Sequence, residues 1–104
     1  TKAVKPKKVV ILGSTGSIGT SALKVAREIP DFMEVVGLAA GSQGEALGAQ
    51  AREFGVKYLS IADETQRETV LASAPSGSEV YVGEQGLREL ACLPEADMVL
   101  ISIV

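Results

Sequence analysis

Short runs of apolar, largely β-branched residues alternate along this chain with stretches in which apolar side chains recur every three or four positions. Runs of the first kind are typical of buried β-strands, and the spacing in the second kind is typical of helices. The predicted strands occupy residues 9–12, 35–40, 58–62, 80–82 and 98–104. The predicted order of elements is therefore βαβαβαβαβ.

Four helices are predicted between these strands, each with one apolar face. The residues predicted to share a face are Ile18, Ala22, Val25, Ala26 and Ile29 in the first helix, Leu47, Ala51 and Phe54 in the second, Val70 and Ala74 in the third, and Leu87, Leu90 and Ala91 in the fourth. The residues predicted to stop or cap helices are Pro30 with Asp31, Gly55, Asp63, and Pro75 with Gly77. Because helices that join apolar strands must cross over right-handedly, the pattern predicts an α/β fold with a doubly wound parallel sheet covered on both faces.

The composition agrees with one such domain. Of the 104 residues, 46% are hydrophobic and only 4% are aromatic, a balance expected where branched strands are covered by alanine-rich helices. We predict a single domain over residues 9–104, preceded by a basic leader over residues 1–8.

The charge argues against a nucleic-acid partner. Ten Lys and Arg against 13 Asp and Glu give a formal charge of −3, which supplies no basic field for a polyanion. The basic cluster of Lys2, Lys5, Lys7 and Lys8 is interpreted as a solvated leader into the first strand. The sequence has neither an apolar run of about 20 residues nor a secretory signal core, so we expect a soluble, intracellular protein without a membrane partner.

Few residues here are suited to catalysis. The sequence has no histidine, so a Ser/His/Asp or Cys/His site cannot be built from it. Cys92, the single cysteine, excludes an internal disulfide and is interpreted as a small buried apolar side chain rather than a nucleophile. The carboxylates of Asp63 and Glu64 stand at a predicted helix start, where helix capping accounts for them. Those of Glu95 and Asp97 lie on a polar turn before a predicted strand. We therefore assign no catalytic or metal-binding residue.

A glycine-rich turn joins the first predicted strand to the first predicted helix. Gly13 allows a tight turn, Gly16 leaves the backbone bare so that a pyrophosphate can approach, and Gly19 lets the helix pack closely on the strand. Unpaired N–H groups would then face the phosphates, and Thr15 and Ser17 add hydroxyls. In this βαβ setting the turn indicates dinucleotide binding by a Rossmann-like fold, and the alternative is an ordinary structural turn.

The end of the second strand indicates which dinucleotide is bound. NAD sites usually carry Asp or Glu about 20 residues beyond the glycine motif, where the carboxylate binds the ribose hydroxyls. Here Gly41, Ser42 and Gln43 follow the strand, and no carboxylate stands among them to repel a 2′-phosphate. We predict NADP, with a modest electrostatic preference because the turn has no Arg or Lys. The alternative is a polar loop in which Ser42 caps the next helix.

Two segments of the sequence resemble the opening of the 1-deoxy-D-xylulose 5-phosphate reductoisomerase family: GSTGSIG at residues 13–19 and VGLAAGSQ at residues 36–43. GEQG at residues 83–86 and ISIV at residues 101–104 are similar to later parts of the same region. The resemblance runs from Val9 onward and covers only the N-terminal part of the family's enzyme. It implies that the catalytic and C-terminal domains lie beyond Val104.

The resemblance also implies roles for the two turns. The residues that would contact the pyrophosphate region of NADPH are Thr15, Gly16, Ser17 and Ile18, and those that would contact the adenosine ribose phosphate are Gly41, Ser42 and Gln43. Gln43 departs from the Asn more usual at its position, although its amide can still donate a hydrogen bond.

The family rearranges 1-deoxy-D-xylulose 5-phosphate with a divalent metal, Mg²⁺ or Mn²⁺, and then reduces the resulting aldehyde with NADPH. The product is 2-C-methyl-D-erythritol 4-phosphate, which enters isoprenoid synthesis. By resemblance, the intact enzyme would be a homodimer in the cytoplasm, or in the plastid of a plant, and this segment alone would be inactive.

Two alternative functions share the glycine turn. Extended short-chain dehydrogenases, epimerases and semialdehyde dehydrogenases have it after their first strand, and their catalytic residues lie further along the chain. A non-catalytic module that senses a dinucleotide would have the same fold without any catalytic domain.

Overall fold

The computed structural model describes residues 5–102. The strands in this range are β1 (Lys7–Leu12), β2 (Met33–Ala40), β3 (Tyr58–Ile61), β4 (Glu79–Val82) and β5 (Met98–Ile101). The helices are α1 (Ser17–Glu28), α2 (Gly44–Phe54), α3 (Arg67–Ser73) and α4 (Gly83–Ala91), and a 3₁₀ turn (Glu64–Gln66) precedes α3. The predicted alternation of strands and helices is confirmed.

The strands form one parallel sheet in the order β4-β3-β2-β1-β5. From β1 the chain adds β2, β3 and β4 in one direction and then returns through α4 to the other side of β1. This reversal creates a topological switch point between β1 and β5, and in open α/β sheets ligands bind outside the carboxyl ends of the strands at such a point. The doubly wound, Rossmann-like α/β fold predicted from the sequence is confirmed.

Each face of the sheet has its own apolar core. The larger core contains Leu23 of α1, Leu47 of α2 and Val70 of α3, so these three helices cover one face. On the other face, Leu90 of α4 packs with Val10 of β1 and neighbouring strand residues. Full burial of a leucine contributes about 1.5–3 kcal/mol, so these contacts hold the helices against the sheet.

Helix α1 buries only part of the face that its apolar residues predict. Its buried residues are Gly19, Leu23 and Ala26, whereas Ile18, Val25 and Ile29 are 60%, 48% and 39% exposed. The buried face is offset from the predicted one by one residue, or about 100° of helix rotation. The prediction is confirmed for Ala26, which is buried, and for Ala22, which packs on the core at partial burial. It was wrong for the three larger side chains because it weighed side-chain apolarity alone, whereas Gly19 lies on the buried face, against the preceding turn.

Several element boundaries also differ from the sequence prediction. Strand β1 begins at Lys7, so the last two residues of the predicted leader belong to the sheet. Strand β5 ends at Ile101, and residues 103–104 of the predicted fifth strand lie outside the described range. The helix-end predictions are confirmed at Gly55, the left-handed C-cap of α2, and at Asp63, whose carboxylate accepts a hydrogen bond from the Thr65 amide.

Cys92 is exposed, so the prediction that it is a buried apolar side chain was wrong. It is the C-cap residue of α4 and follows the last residue of that helix, Ala91. Its neighbours Ala91 and Leu93 pack on the second core, so the side chain of Cys92 itself is the one left outside it.

Candidate dinucleotide site

The two turns predicted to bind a cofactor lie at the same edge of the sheet. Strands β1 and β2 are parallel neighbours, so the turns that follow them come next to each other. The amides of Gly13 and Ser14 each donate to the Ala39 carbonyl at 2.8 Å. The glycine-rich turn is therefore bonded directly to the end of β2.

The structure requires glycine at two positions of this turn. Gly13 has φ +92°, a left-handed conformation that side chains rarely adopt. A Cβ at Gly19 would lie 2.2 Å from the Gly13 carbonyl oxygen and 2.6 Å from the Ser14 Cα. Close packing at Gly19 was predicted from the spacing of the glycines, and the structure places the contact on the turn that follows β1 rather than on the strand itself.

The N-terminus of α1 is uncapped. Its N-cap residue is Gly16, which has no side chain to accept from the first amides, and no acidic residue lies in the first turn. Among residues 5–102, no acceptor bonds the amides of Ser17, Ile18 or Gly19. These donors and the positive end of the helix dipole make a ready site for an anion such as phosphate.

A cavity of about 300 Å³ opens beside the glycine turn, between α4 and the carboxyl ends of the strands. Its lining residues are Gly13, Ala39, Ala40, Gly41, Ser60, Ala62, Gly83, Glu84 and Leu87. The lining is mostly small and apolar, which suits the face of a planar aromatic base. The carboxylate of Glu84 stands at the rim and bonds Arg88 at 2.7 Å.

Of the residues that line this cavity, the sequence singled out Gly13 and Gly41 as cofactor contacts and Gly83 as a residue near the nicotinamide, but not Glu84 or Leu87 of α4. The GEQG segment at residues 83–86 opens α4 directly after β4 and is similar to the family's fourth strand-to-helix turn. Its position after a predicted strand of a parallel sheet was the available indication, because such positions gather at one edge.

The turn between β2 and α2 presents polar groups to solvent. Gly41, Ser42 and Gln43 are all exposed, and a Cβ at Gly41 would meet no atom within 4 Å. The N-cap of α2 is Gln43, and no side chain caps the helix, so the alternative in which Ser42 is the cap was wrong. Asp63 donates its amide to the Gly41 carbonyl at 2.9 Å, while its carboxylate accepts from Thr65. The side chains of Ser42 and Gln43 are exposed, so both can contact a ligand.

The side chains with displaced pKa values lie away from both turns. A hydrogen bond between Arg27 and Glu53 on the outer surface of α1 and α2 raises the pKa of the guanidinium and lowers the pKa of the carboxyl. Burial on β4, with a smaller effect of Glu79, raises the pKa of Tyr81. These shifts reflect structural contacts, and none belongs to a group that faces the cavity.

Metal ligands are not gathered in the described part of the chain. Residues 5–102 bring together no group of three or more His, Cys, Asp or Glu side chains that could hold a metal ion. The arrangement is suited to binding and orienting a phosphorylated ligand.

Two side chains outside the glycine motif bond its backbone, and sequence reasoning missed both. The Gln50 amide nitrogen, on α2, donates to the Ser14 carbonyl at 3.0 Å. The Ser102 hydroxyl lies 2.9 Å from the Gly13 carbonyl oxygen and 3.0 Å from that of Leu12. Nothing in the local pattern around Gln50 distinguishes it from a solvated helix residue, whereas Ser102 directly follows a strand beside the switch point.

Comparison with known proteins agrees with this geometry. The model of the 1-deoxy-D-xylulose 5-phosphate reductoisomerase family matches residues 9–104. The reductoisomerase of Anaeromyxobacter sp. (strain K) is 47% identical over 97 residues, covering 93% of this chain and 25% of that protein. That of Thermodesulfovibrio yellowstonii is 45% identical over 98 residues, covering 94% of this chain and 26% of that protein.

Solved structures give the same result. The Zymomonas mobilis 1-deoxy-D-xylulose 5-phosphate reductoisomerase in complex with NADPH superposes with a TM-score of 0.82 at 32% identity, over 90% of this chain and 25% of that one. A reductoisomerase complex with NADPH, fosmidomycin and magnesium superposes with a TM-score of 0.78 at 29% identity, over 89% of this chain and 23% of that one. The chain spans about a quarter of the length of these relatives. Together with the family match over residues 9–104, these likenesses establish that the chain belongs to the 1-deoxy-D-xylulose 5-phosphate reductoisomerase family.

Proposed function

We propose that this chain is the NADPH-binding portion of a 1-deoxy-D-xylulose 5-phosphate reductoisomerase. The observation that carries the proposal is the uncapped N-terminus of α1 after a glycine turn that also borders an apolar cavity of about 300 Å³, at the carboxyl edge of the sheet. The uncapped end of the helix would bind the phosphates of the cofactor, and the apolar cavity would hold its adenine base. Zymomonas mobilis reductoisomerase, which superposes on this chain, was solved in complex with NADPH.

The glycine turn would hold the pyrophosphate. The amides of Ser17, Ile18 and Gly19 supply hydrogen-bond donors, and the hydroxyls of Thr15 and Ser17 add two more. A Cβ at Gly16 would meet only the Gly13 carbonyl oxygen, at 3.6 Å, so the space above this backbone is open to a ligand. NADPH, when bound, supplies the hydride, and the residues of this chain hold and orient it.

The β2–α2 turn would hold the 2′-phosphate. Gly41 leaves the backbone open, while Ser42 and Gln43 present a hydroxyl and an amide that can donate to phosphate oxygens. In the neighbouring loop the carboxylate of Asp63 accepts from Thr65, while Glu45 in the first turn of α2 is exposed. No Arg or Lys lies in residues 41–44, so hydrogen bonding rather than ion pairing would select the phosphate.

NADPH is therefore expected to bind this chain about tenfold more tightly than NADH, since hydrogen bonds to a charged group contribute about 1.5–3 kcal/mol and these are exposed. Calorimetric titration of the chain with both cofactors measures the ratio. Equal affinities, or tighter binding of NADH, would contradict the role given to Gly41, Ser42 and Gln43. Binding of neither cofactor would contradict the proposed function itself.

The complete reaction requires more than this chain contains. We propose that the whole protein converts 1-deoxy-D-xylulose 5-phosphate to 2-C-methyl-D-erythritol 4-phosphate with NADPH and a divalent metal. Reductoisomerase relatives were solved in complex with magnesium and with fosmidomycin. Residues 5–102 lack a metal cluster, so no metal-dependent step is assigned to them.

The 104-residue chain alone is expected to show no substrate-dependent oxidation of NADPH, even with Mg²⁺ supplied. Hydride transfer needs a second wall that positions the sugar phosphate and its metal and excludes water. The loss of NADPH absorbance after addition of 1-deoxy-D-xylulose 5-phosphate tests this, with the full-length Anaeromyxobacter relative as the positive control. Metal-dependent turnover by the purified chain would show that an active site within these residues has been overlooked.

The remaining properties of the intact protein are also proposals from the family. They are a homodimeric assembly and a cytoplasmic location, or a plastid location if the source is a plant. None of the helices within residues 5–102 is long and apolar enough to cross a membrane. With a formal charge of −3, the chain offers no general attraction for nucleic acid, and we propose none as a partner.

A further inference from the structure

Three successive carbonyl groups of the glycine turn are bonded toward the body of the protein. The Leu12 carbonyl accepts from the Ser102 amide at 2.8 Å and lies 3.0 Å from the Ser102 hydroxyl. The Gly13 carbonyl accepts from the Gly16 amide at 3.2 Å and lies 2.9 Å from the same hydroxyl. The Ser14 carbonyl accepts from Gln50. Side chains from α2 and from the end of β5 therefore fix the peptide groups that lead into α1.

The direction of these carbonyls decides what an anion meets at the turn. Carbonyl oxygens carry partial negative charge and repel phosphate, whereas the amides that follow attract it. A turn whose carbonyls are already bonded inward does not have to reorganise when the ligand arrives, and such preorganisation increases affinity.

The hydrogen bonding of the Gln50 amide indicates that this residue does more than fill space in the core. Its Oε1 is buried without a hydrogen-bond partner among residues 5–102, and so is the Ser14 hydroxyl oxygen. A buried polar atom without a partner destabilises the fold, so an apolar side chain of similar length would fill the same space at less cost. What glutamine provides and an apolar side chain would not is the hydrogen bond from its Nε2 to the Ser14 carbonyl.

We propose that Gln50 and Ser102 are positioning residues that set the glycine turn for the pyrophosphate of the cofactor. This inference rests on the proposed function, because it assumes that the turn binds phosphates. Neither side chain needs to touch the ligand. Gln50 also joins the glycine turn to α2, whose N-cap residue Gln43 would contact the 2′-phosphate.

The test uses Gln50→Met and Ser102→Ala in the full 104-residue chain, titrated by NMR with three ligands. NADPH carries both phosphate groups, ADP carries a pyrophosphate without a 2′-phosphate, and 2′-AMP carries a 2′-phosphate without a pyrophosphate. We expect each variant to bind NADPH and ADP about tenfold more weakly, the loss typical of a hydrogen bond, and to bind 2′-AMP unchanged. The melting temperature of Gln50→Met should move little, because losing the bond to Ser14 and removing the unpartnered oxygen have opposite effects on stability.

A matched control is Gln85→Met, the same substitution at an exposed glutamine of α4 with no hydrogen bond among the described residues. It should leave the affinity for all three ligands unchanged. If Gln50→Met does not fold, Ser102→Ala removes the same kind of bond at a half-buried position and decides the question by itself.

The outcomes separate the inference from the proposed function. If the unaltered chain binds neither NADPH nor ADP, the proposed function fails. If the unaltered chain binds both and the two variants bind equally well, the function stands and the positioning role is refuted. A loss of 2′-AMP binding in parallel with ADP would also refute the role, because it would indicate general damage to the fold.

Discussion

Replacing Gly19 by alanine is expected to lower the free energy of unfolding by about 3 kcal/mol, at the upper end of the usual cost of overpacking. The added Cβ would lie 2.2 Å from the Gly13 carbonyl oxygen and 2.6 Å from the Ser14 Cα, and both of these are backbone atoms. Backbone cannot rotate aside as a side chain can, so α1 would have to move off the turn. Urea unfolding followed by circular dichroism measures the change.

Gly41→Ala is the matched control for this experiment. The same methyl group at Gly41 would meet no atom within 4 Å, and the glycine does not have a positive φ. Its effect should stay within about 0.5 kcal/mol, as for most surface substitutions. Similar stabilities for the Gly19 and Gly41 variants would mean that the close contact between α1 and the turn is not a feature of the protein.

Gly16→Val is expected to weaken NADPH binding about 100-fold or more while the sheet remains folded. The space above Gly16 is open, and the nearest contact of an added Cβ would be the Gly13 carbonyl oxygen at 3.6 Å, so the protein itself accommodates the β-carbon. Its methyl groups would occupy the volume proposed for the pyrophosphate. Calorimetric titration gives the affinity, and circular dichroism reports the fold.

The Gly16→Ala variant distinguishes two effects of valine, the volume of its side chain and its poorer N-capping of α1. Valine is a poorer N-cap than glycine and could cost about 1 kcal/mol of helix stability, and alanine is similarly poor but much smaller. A large loss of affinity with valine and a small one with alanine would support steric exclusion of the ligand. If a folded Gly16→Val variant bound NADPH with unchanged affinity, Gly16 would have only a structural role in the turn. The pyrophosphate would then not lie at this position.

Much of the fold could be predicted from the sequence because its signals are local. Apolar runs such as residues 9–12 and 35–40 are buried on both sides in a parallel sheet and therefore stand out from the helices between them. Gly55 and Asp63 act within one or two residues of where they stand. The exposure of Ile18, Val25 and Ile29 on α1 was not predicted, because the apolar stripe was chosen from side chains alone and left out Gly19, which lies on the buried face.

In the candidate site, too, the parts with a local sequence signal were predicted and the parts that depend on distant contacts were not. The glycine motif and the polar residues after β2 are short segments with recognisable spacing, and the structure brings both turns to one edge of the sheet. Their contacts with a cofactor remain a proposal. The wall formed by Gly83 and Leu87, and the bonds from Gln50 and Ser102, depend on how distant elements pack. Positions directly after strands, such as those of Gly83 and Ser102, indicate which edge of the sheet a residue occupies, but a local pattern does not give the contact that it makes there.

The hydrogen bonds around the glycine turn have a consequence for the order in which the chain can fold. Seven consecutive residues form the motif, yet its backbone is bonded to Ala39, to Gln50 across 36 positions and to Ser102 across about 90. Each of these bonds requires a long loop to close first, and the entropy of that closure is lost before the bond forms. The turn therefore acquires its final shape only when β2, α2 and the end of β5 have assembled around it.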